Sequence, residues 1–210
     1  MVADLFDMER WGANCRRNQT QMEGNSEMRK QKGFSLIELL IVVAIILIIA
    51  AIAIPNLLRA KIAANESSAV SSIRTINTAE VTYQTAYPTV GYAALLANLG
   101  PGAGVYTCPG GGPTSSAACV IDGVLSNNGN PAGNGKSGYS FGAVGVKGAV
   151  GTLLLSYQAG AAPLNFNQTG VRRFCSAEDG VIRFDANTGG STTVDTVAGS
   201  CAAAPYVVLQ

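Results

Sequence analysis

The sequence predicts an α+β fold: one long N-terminal helix, membrane-spanning in its first half and kinked near Pro55, packed on a 3–4-stranded antiparallel β-sheet. Three observations predict it. An unbroken apolar run from Phe34 to Ile54 holds a single charge, Glu38. A helical spacing of apolar residues resumes at Ile62 and continues to Tyr83. Beyond Ser137 the apolar period changes to two, that of a strand with one buried face.

The apolar run spans 21 residues. As a helix rising about 1.5 Å per residue it reaches about 31 Å, the thickness of a bilayer's hydrocarbon core. Ile41, Ile45, Ile48 and Ile52 lie at helical spacing, and Val42, Ile46 and Ile49 cover the adjoining face. A helix that is apolar all round must be buried all round, in lipid or in protein. Glu38 sits near one edge of the run, where a charge costs less than the roughly 3 kcal/mol it costs at the membrane centre. Pro55 lacks an N–H and clashes with the carbonyl four residues earlier, so it either ends the helix or kinks one that continues, around Ala51. The pattern resuming at Ile62 favours the kink.

Ile62, Ala69, Ile73, Ile76, Ala79 and Tyr83 advance by threes, fours and sevens, one apolar stripe on a helix from Ala60 to about Tyr87. Glu66, Ser67, Arg74, Asn77 and Gln84 fall mainly off that stripe, and Pro88 closes the helix. Residues 100–151 are dense in glycine, with Pro101, Pro109, Pro113 and Pro131 interspersed, the composition of loops and of a variable surface. Strands are predicted around Tyr139–Ala143, Thr152–Gln158, Val171–Ser176 and Val181–Asp185. The last two flank Ala177-Glu178-Asp179-Gly180, a hairpin signal. A final segment, Ala186–Gln210, is tethered if Cys175 pairs with Cys201.

Gly33-Phe34-Ser35-Leu36-Ile37-Glu38-Leu39-Leu40, the aliphatic run behind it, and Pro55 where family helices often kink or melt together resemble the N-terminus of type IV pilins and the related pseudopilins. The likeness covers roughly residues 28 to 87 well and is looser beyond. It implies a pilin fold, cleavage by a prepilin peptidase between Gly33 and Phe34, N-methylation of Phe34, and guidance of filament assembly by the Glu38 carboxylate. It divides the chain into a leader (1–33), a transmembrane and filament-core helix (34–58) and a periplasmic or extracellular head domain (59–210). A secretory signal peptide is cut after its apolar stretch; here the cut precedes it, so the helix stays in the mature protein. Glu38 follows Phe34 by four residues and shares its helix face. The freed amine of a neighbouring Phe34 is the family's usual partner for it. The implied partners are identical subunits in a helical filament, the prepilin peptidase, the inner membrane and the pilus assembly machinery. The subunit would wait in the inner membrane and then enter an extracellular filament.

The net charge is +1. Loss of Met1–Gly33 removes Arg10, Arg16, Arg17, Arg29, Lys30 and Lys32 along with Asp4, Asp7, Glu9, Glu23 and Glu27, and the remainder is neutral. That balance gives no firm indication of a nucleic-acid partner. Arg29, Lys30 and Lys32 flank the cytoplasmic end of the run, while Arg59 and Lys61 beyond its other end soften the asymmetry. Met28–Gly33 alone is a sufficient short basic leader. Residues 1–27 are polar and patternless, either an upstream start-site overcall or part of a long leader, and Trp11 and Cys15 are excluded from fold reasoning with them. Cys108, Cys119, Cys175 and Cys201 remain, an even number that suits an oxidising periplasm or exterior. Nearest-neighbour closure gives Cys108–Cys119 and Cys175–Cys201; other pairings, reduced buried cysteines and a zinc site stay open, the last disfavoured by long spacings and the absence of histidine. A disulfide-closed C-terminal region also resembles pilins.

The leading reading is a structural subunit of a type IV pilus, polymerising through its N-terminal helix for adhesion, motility or uptake. The alternative is a pseudopilin of a type II secretion system, in a short periplasmic filament. The glycine-rich region and four cysteines lean toward a displayed pilin. An enzyme is disfavoured by the lack of histidine, of a recognisable carboxylate motif and of a phosphate loop. Glu178-Asp179 reads as a hairpin tip, and the full ligand pattern of a calcium site is missing. Arg172, Arg173 and Arg183 on adjacent strands form either a small basic patch or a solvated sheet face. An aromatic content of 7% gives no support to electron transport along stacked rings. No cofactor and no metal are expected.

Overall fold

The computed structural model describes residues 33–128, 135–149 and 151–209. Residues 1–32, which hold almost all of the leader, its basic flank and Cys15, lie outside the described residues, as does Pro131. The chain divides into two compact units, Met1–Ile46 and Leu47–Gln210. Helix α1 (Leu36–Ala86) contributes its first turns to the former and the rest to the latter. Pro55 lies inside α1, so the proline does not end the helix, and the carbonyl of Ala51 loses the N–H that another residue type would have supplied.

In the second unit α1 turns amphipathic. Ala69, Ile73, Ile76, Ala79 and Tyr83 are buried as the spacing predicts, but Glu66 and Glu80 are buried on the same stripe. Along the exposed side Thr75, Thr78, Thr82 and Thr85 each donate to the carbonyl four residues back, which satisfies their hydroxyls within the helix.

The stripe is covered by an antiparallel sheet of five strands: β1 (Tyr139–Lys147), β2 (Leu154–Pro163), β3 (Arg173–Ala177), β4 (Arg183–Asp185) and β5 (Val207–Val208), adjacent in that order. The fifth strand revises the expected count of three or four. It comes from the C-terminal tail, where Val207 pairs with Phe184 and Val208 with Arg183. Two residues are too few to show a period of two, so only the pairing reveals it. β2 also outruns its predicted end at Gln158, through Ala159-Gly160-Ala161-Ala162-Pro163. Small residues are weak strand formers; they pair here because both faces of β2 are covered.

One face of the sheet supplies Phe141, Tyr157 and Phe174 to a core shared with Ile73, Ile76 and Tyr83. Two single helical turns close it, α2 (Leu96–Leu99) and α3 (Gly123–Ser126), the second inside the stretch expected to be all loop. Asp122 starts α3 by accepting from Leu125 N at 2.8 Å.

The other face carries the tail. A Cβ on Gly160 would collide with the Asp195 carbonyl oxygen, and one on Gly142 would crowd Val194 and Thr196, so the two glycines let the tail lie flat on β1 and β2. Buried Gln158 reaches up from β2 and donates to Ser200 Oγ at 2.6 Å. Cys175 on β3 is bridged to Cys201, both fully buried, whereas the second bridge, Cys108–Cys119, ties an exposed loop.

Removing both members of the Cys175–Cys201 bridge, as serines, is expected to cost about 3 kcal/mol from loop closure alone and to lower Tm by ~10 °C. The corresponding Cys108/Cys119 variant should lose less, because the loop it closes is shorter and its environment is open. Thermal melts of the two variants under non-reducing conditions check this; equal losses would mean that the tail contributes nothing to the fold.

Candidate functional site

Gly33, Phe34 and Ser35 precede the helix, free of regular structure, and all three are exposed. A Cβ built on Gly33 meets nothing within 4 Å. Among the described residues, nothing in the packing requires glycine at that position. An exposed segment free of regular structure is also the form in which a protease takes its substrate.

The helix then begins at Leu36, with Leu39 N bonded to Ser35 O at 3.2 Å. Glu38 falls in its first turn, where a carboxylate is favoured by the aligned peptide dipoles. It is exposed, and it joins none of the ion pairs among the described residues. Apart from Ala50, which is half-buried, every side chain from Leu36 to Leu58 is exposed, with Phe34 at 75% and Ile52 at 65%. Such a surface is incompatible with water. By length and composition α1 contains one segment able to cross a membrane.

Arg172, Arg173 and Arg183 are brought to one region of the sheet, yet they make no free basic patch. Each guanidinium approaches a carboxylate at 2.6 Å: Arg172 to Glu66, Arg173 to Asp185 and Arg183 to Asp179. The Arg183 guanidinium holds the Asp179 carboxyl below its usual range. Asp179 also accepts from Val181 N at 3.0 Å, the work of a turn residue. Arg172 further lies over the Phe174 and Phe184 rings, at 5.6 and 5.4 Å from their centroids.

Glu66 is the residue that the sequence reading missed. One oxygen accepts from Val171 N and Arg172 N, both at 3.1 Å, and the other accepts from Arg172 Nε at 2.8 Å. It thus clamps α1 to the start of β3. A signal was there: 66, 69, 73, 76, 80 and 83 continue one alternation of threes and fours, so both glutamates were on the stripe by position and excluded only by polarity.

Residues 28–54 match the family model described as the prokaryotic N-terminal methylation motif. The head lies outside that match. Over 40 residues the chain is 65% identical to the type IV wide pilus major component PilA4 of Thermus thermophilus, covering 19% of this chain and 30% of that protein. Over 54 residues it is 44% identical to the type IV major pilin protein PilA of Myxococcus xanthus, covering 26% and 24% respectively. The chain therefore matches less than a third of the length of either relative. No solved structure matches.

Proposed function

We propose that this chain is a structural subunit of a type IV pilus, polymerising through residues 34–58 and displaying residues 59–210. The observation that carries the reading is the exposed apolar run of α1, opened by Gly33-Phe34-Ser35-Leu36-Ile37-Glu38, within the segment that matches the methylation motif. In this reading a prepilin peptidase cuts between Gly33 and Phe34, the new amine is methylated, and the protein waits in the inner membrane. Assembly machinery then transfers it to a filament of identical subunits, whose helices replace lipid as the apolar surroundings. Inside that core Glu38 takes the Phe34 amine of a neighbour as its partner. Adhesion, motility or uptake would be the work of the filament. Both similar proteins are pilus components by description, which favours a pilus over the pseudopilus of a secretion machine.

Mass analysis of sheared surface filaments tests this. The peptide should begin at Phe34 bearing one added methyl group, and Gly33→Val should leave the leader attached and the filaments absent. An intact leader on assembled protein would overturn the processing step. Unchanged surface filaments in cells lacking the gene, with protein secretion lost, would assign the chain to a secretion machine instead.

A further inference from the structure

Glu80 is fully buried on the core side of α1. Its Oε2 accepts from Ala93 N at 2.9 Å, while Oε1 has no partner. One turn earlier, half-buried Asn77 also has an orphaned oxygen. Its Nδ2 donates to Ser176 Oγ at 2.8 Å and to the Gly180 carbonyl at 3.4 Å, and a carbonyl accepts only, so the amide orientation is set. The Asn77 Oδ1 is then turned away from those partners and is buried with nothing bonded to it. Residues three apart on a helix are neighbours on one face. Each of these two buried acceptors on one helix face lacks a donor, which burial makes costly. A single proton on the carboxyl would satisfy both.

What Glu80 holds is a ribbon, residues 88–95, that leads from the end of α1 onto the sheet. Tyr92 N bonds to Leu154 O and Leu154 N to Val90 O, both at 3.0 Å, and Gly145 N bonds to Ala94 O at 3.3 Å. The ribbon is thereby laid across the turn end of the β1–β2 hairpin, with the Ala93–Glu80 bond as its link back to the helix. The groups facing Glu80 offer it no positive charge. They are Tyr83 on α1, Tyr92 on the ribbon and Tyr157 on β2; farther out, Tyr87 bears on Tyr83, and Glu178 and Asp179 at the β3–β4 turn bear on Tyr157, with Arg183 already committed to Asp179.

We propose that Glu80 is a neutral carboxylic acid in the folded head, donating from Oε1 to the Asn77 amide oxygen, and that loss of this proton unlatches the 88–95 ribbon. Burial pushes the Glu80 carboxyl up from its ordinary value to about 7. The sign follows from linkage. A carboxyl whose folded value is raised contributes stability fully below its unfolded value, near 4.5, and loses it as pH climbs through the folded value. Above neutrality the buried carboxylate gains by drawing in water, and the ribbon is the cover that must lift to admit it. The fold then carries a latch that is closed in acid and neutral surroundings and loosened in alkaline ones.

The test is amide hydrogen exchange on the full-length protein in detergent micelles, at about pH 6 and pH 8.5. After correction for the intrinsic rate, the protection of Ala93 and Tyr92 should fall about tenfold at the higher pH, the factor expected when Glu80 ionises only in the closed form between the two. In Glu80→Gln the amide can both accept from Ala93 and donate to Asn77, so its protection should change less than about twofold. Equal behaviour of wild type and Glu80→Gln would overturn the proposal. Should that variant not fold, carboxyl carbon chemical shifts of the wild type decide alone. A Glu80 midpoint near neutrality supports the latch, and one in the ordinary glutamate range refutes it.

Discussion

Glu38→Val should abolish surface filaments while leaving the protein in the membrane. The side chain is exposed in the isolated chain and near the edge of the apolar segment, where it keeps some hydration in lipid. Removing it makes insertion easier. On the proposed reading the same position would be enclosed by other helices in a filament, and its absence would strand the amine of a neighbouring Phe34 without a counter-charge. Breaking a buried pair by removing one partner costs about 3–5 kcal/mol, roughly a hundredfold or more in each addition of a subunit. The same pair would favour one register between subunits over its neighbours, which an apolar helix by itself cannot specify. Immunoblots of sheared filaments against membrane fractions make the comparison. Normal filament yield from Glu38→Val would remove the register role, whatever the processing experiments show.

Glu66→Ala should be the most damaging single substitution of a polar residue in the head, at about 3–5 kcal/mol. It would leave two backbone N–H groups, Val171 and Arg172, without their acceptor and the Arg172 guanidinium without its carboxylate. Arg172 is partly exposed, 40% against 8% for Glu66, so water would recover some of its loss and the lower end of the range is expected. Glu66→Gln keeps an acceptor for the backbone and should lose less than half as much. Chemical denaturation of both variants, with Arg172→Met and the double variant completing a cycle, separates the charge from the backbone contacts. A loss below about 1 kcal/mol for Glu66→Ala would show that the core alone holds α1 to β3.

Whatever depends on local order along the chain was legible before any fold was known. Gly33-Phe34 and Glu38 stand at the head of a run too apolar for water, and the Ile73-Ile76-Tyr83 stripe could be buried only against another layer. The turn at Asp179-Gly180 is written in two residues, and the nearest-neighbour cysteine pairs are the ones that the structure closes. Tertiary structure alone decided the rest, for one physical reason: burial converts the meaning of a residue. Glu66 reads as off the buried stripe until two backbone N–H groups and the Arg172 guanidinium make its carboxylate tolerable inside. Three arginines read as a small basic patch or a solvated sheet face until each meets its own acid. Ala159-Gly160-Ala161-Ala162 reads as no element at all, yet a helix-packed core beneath and the tail above, pressed against Gly160, leave it nothing to be but a strand.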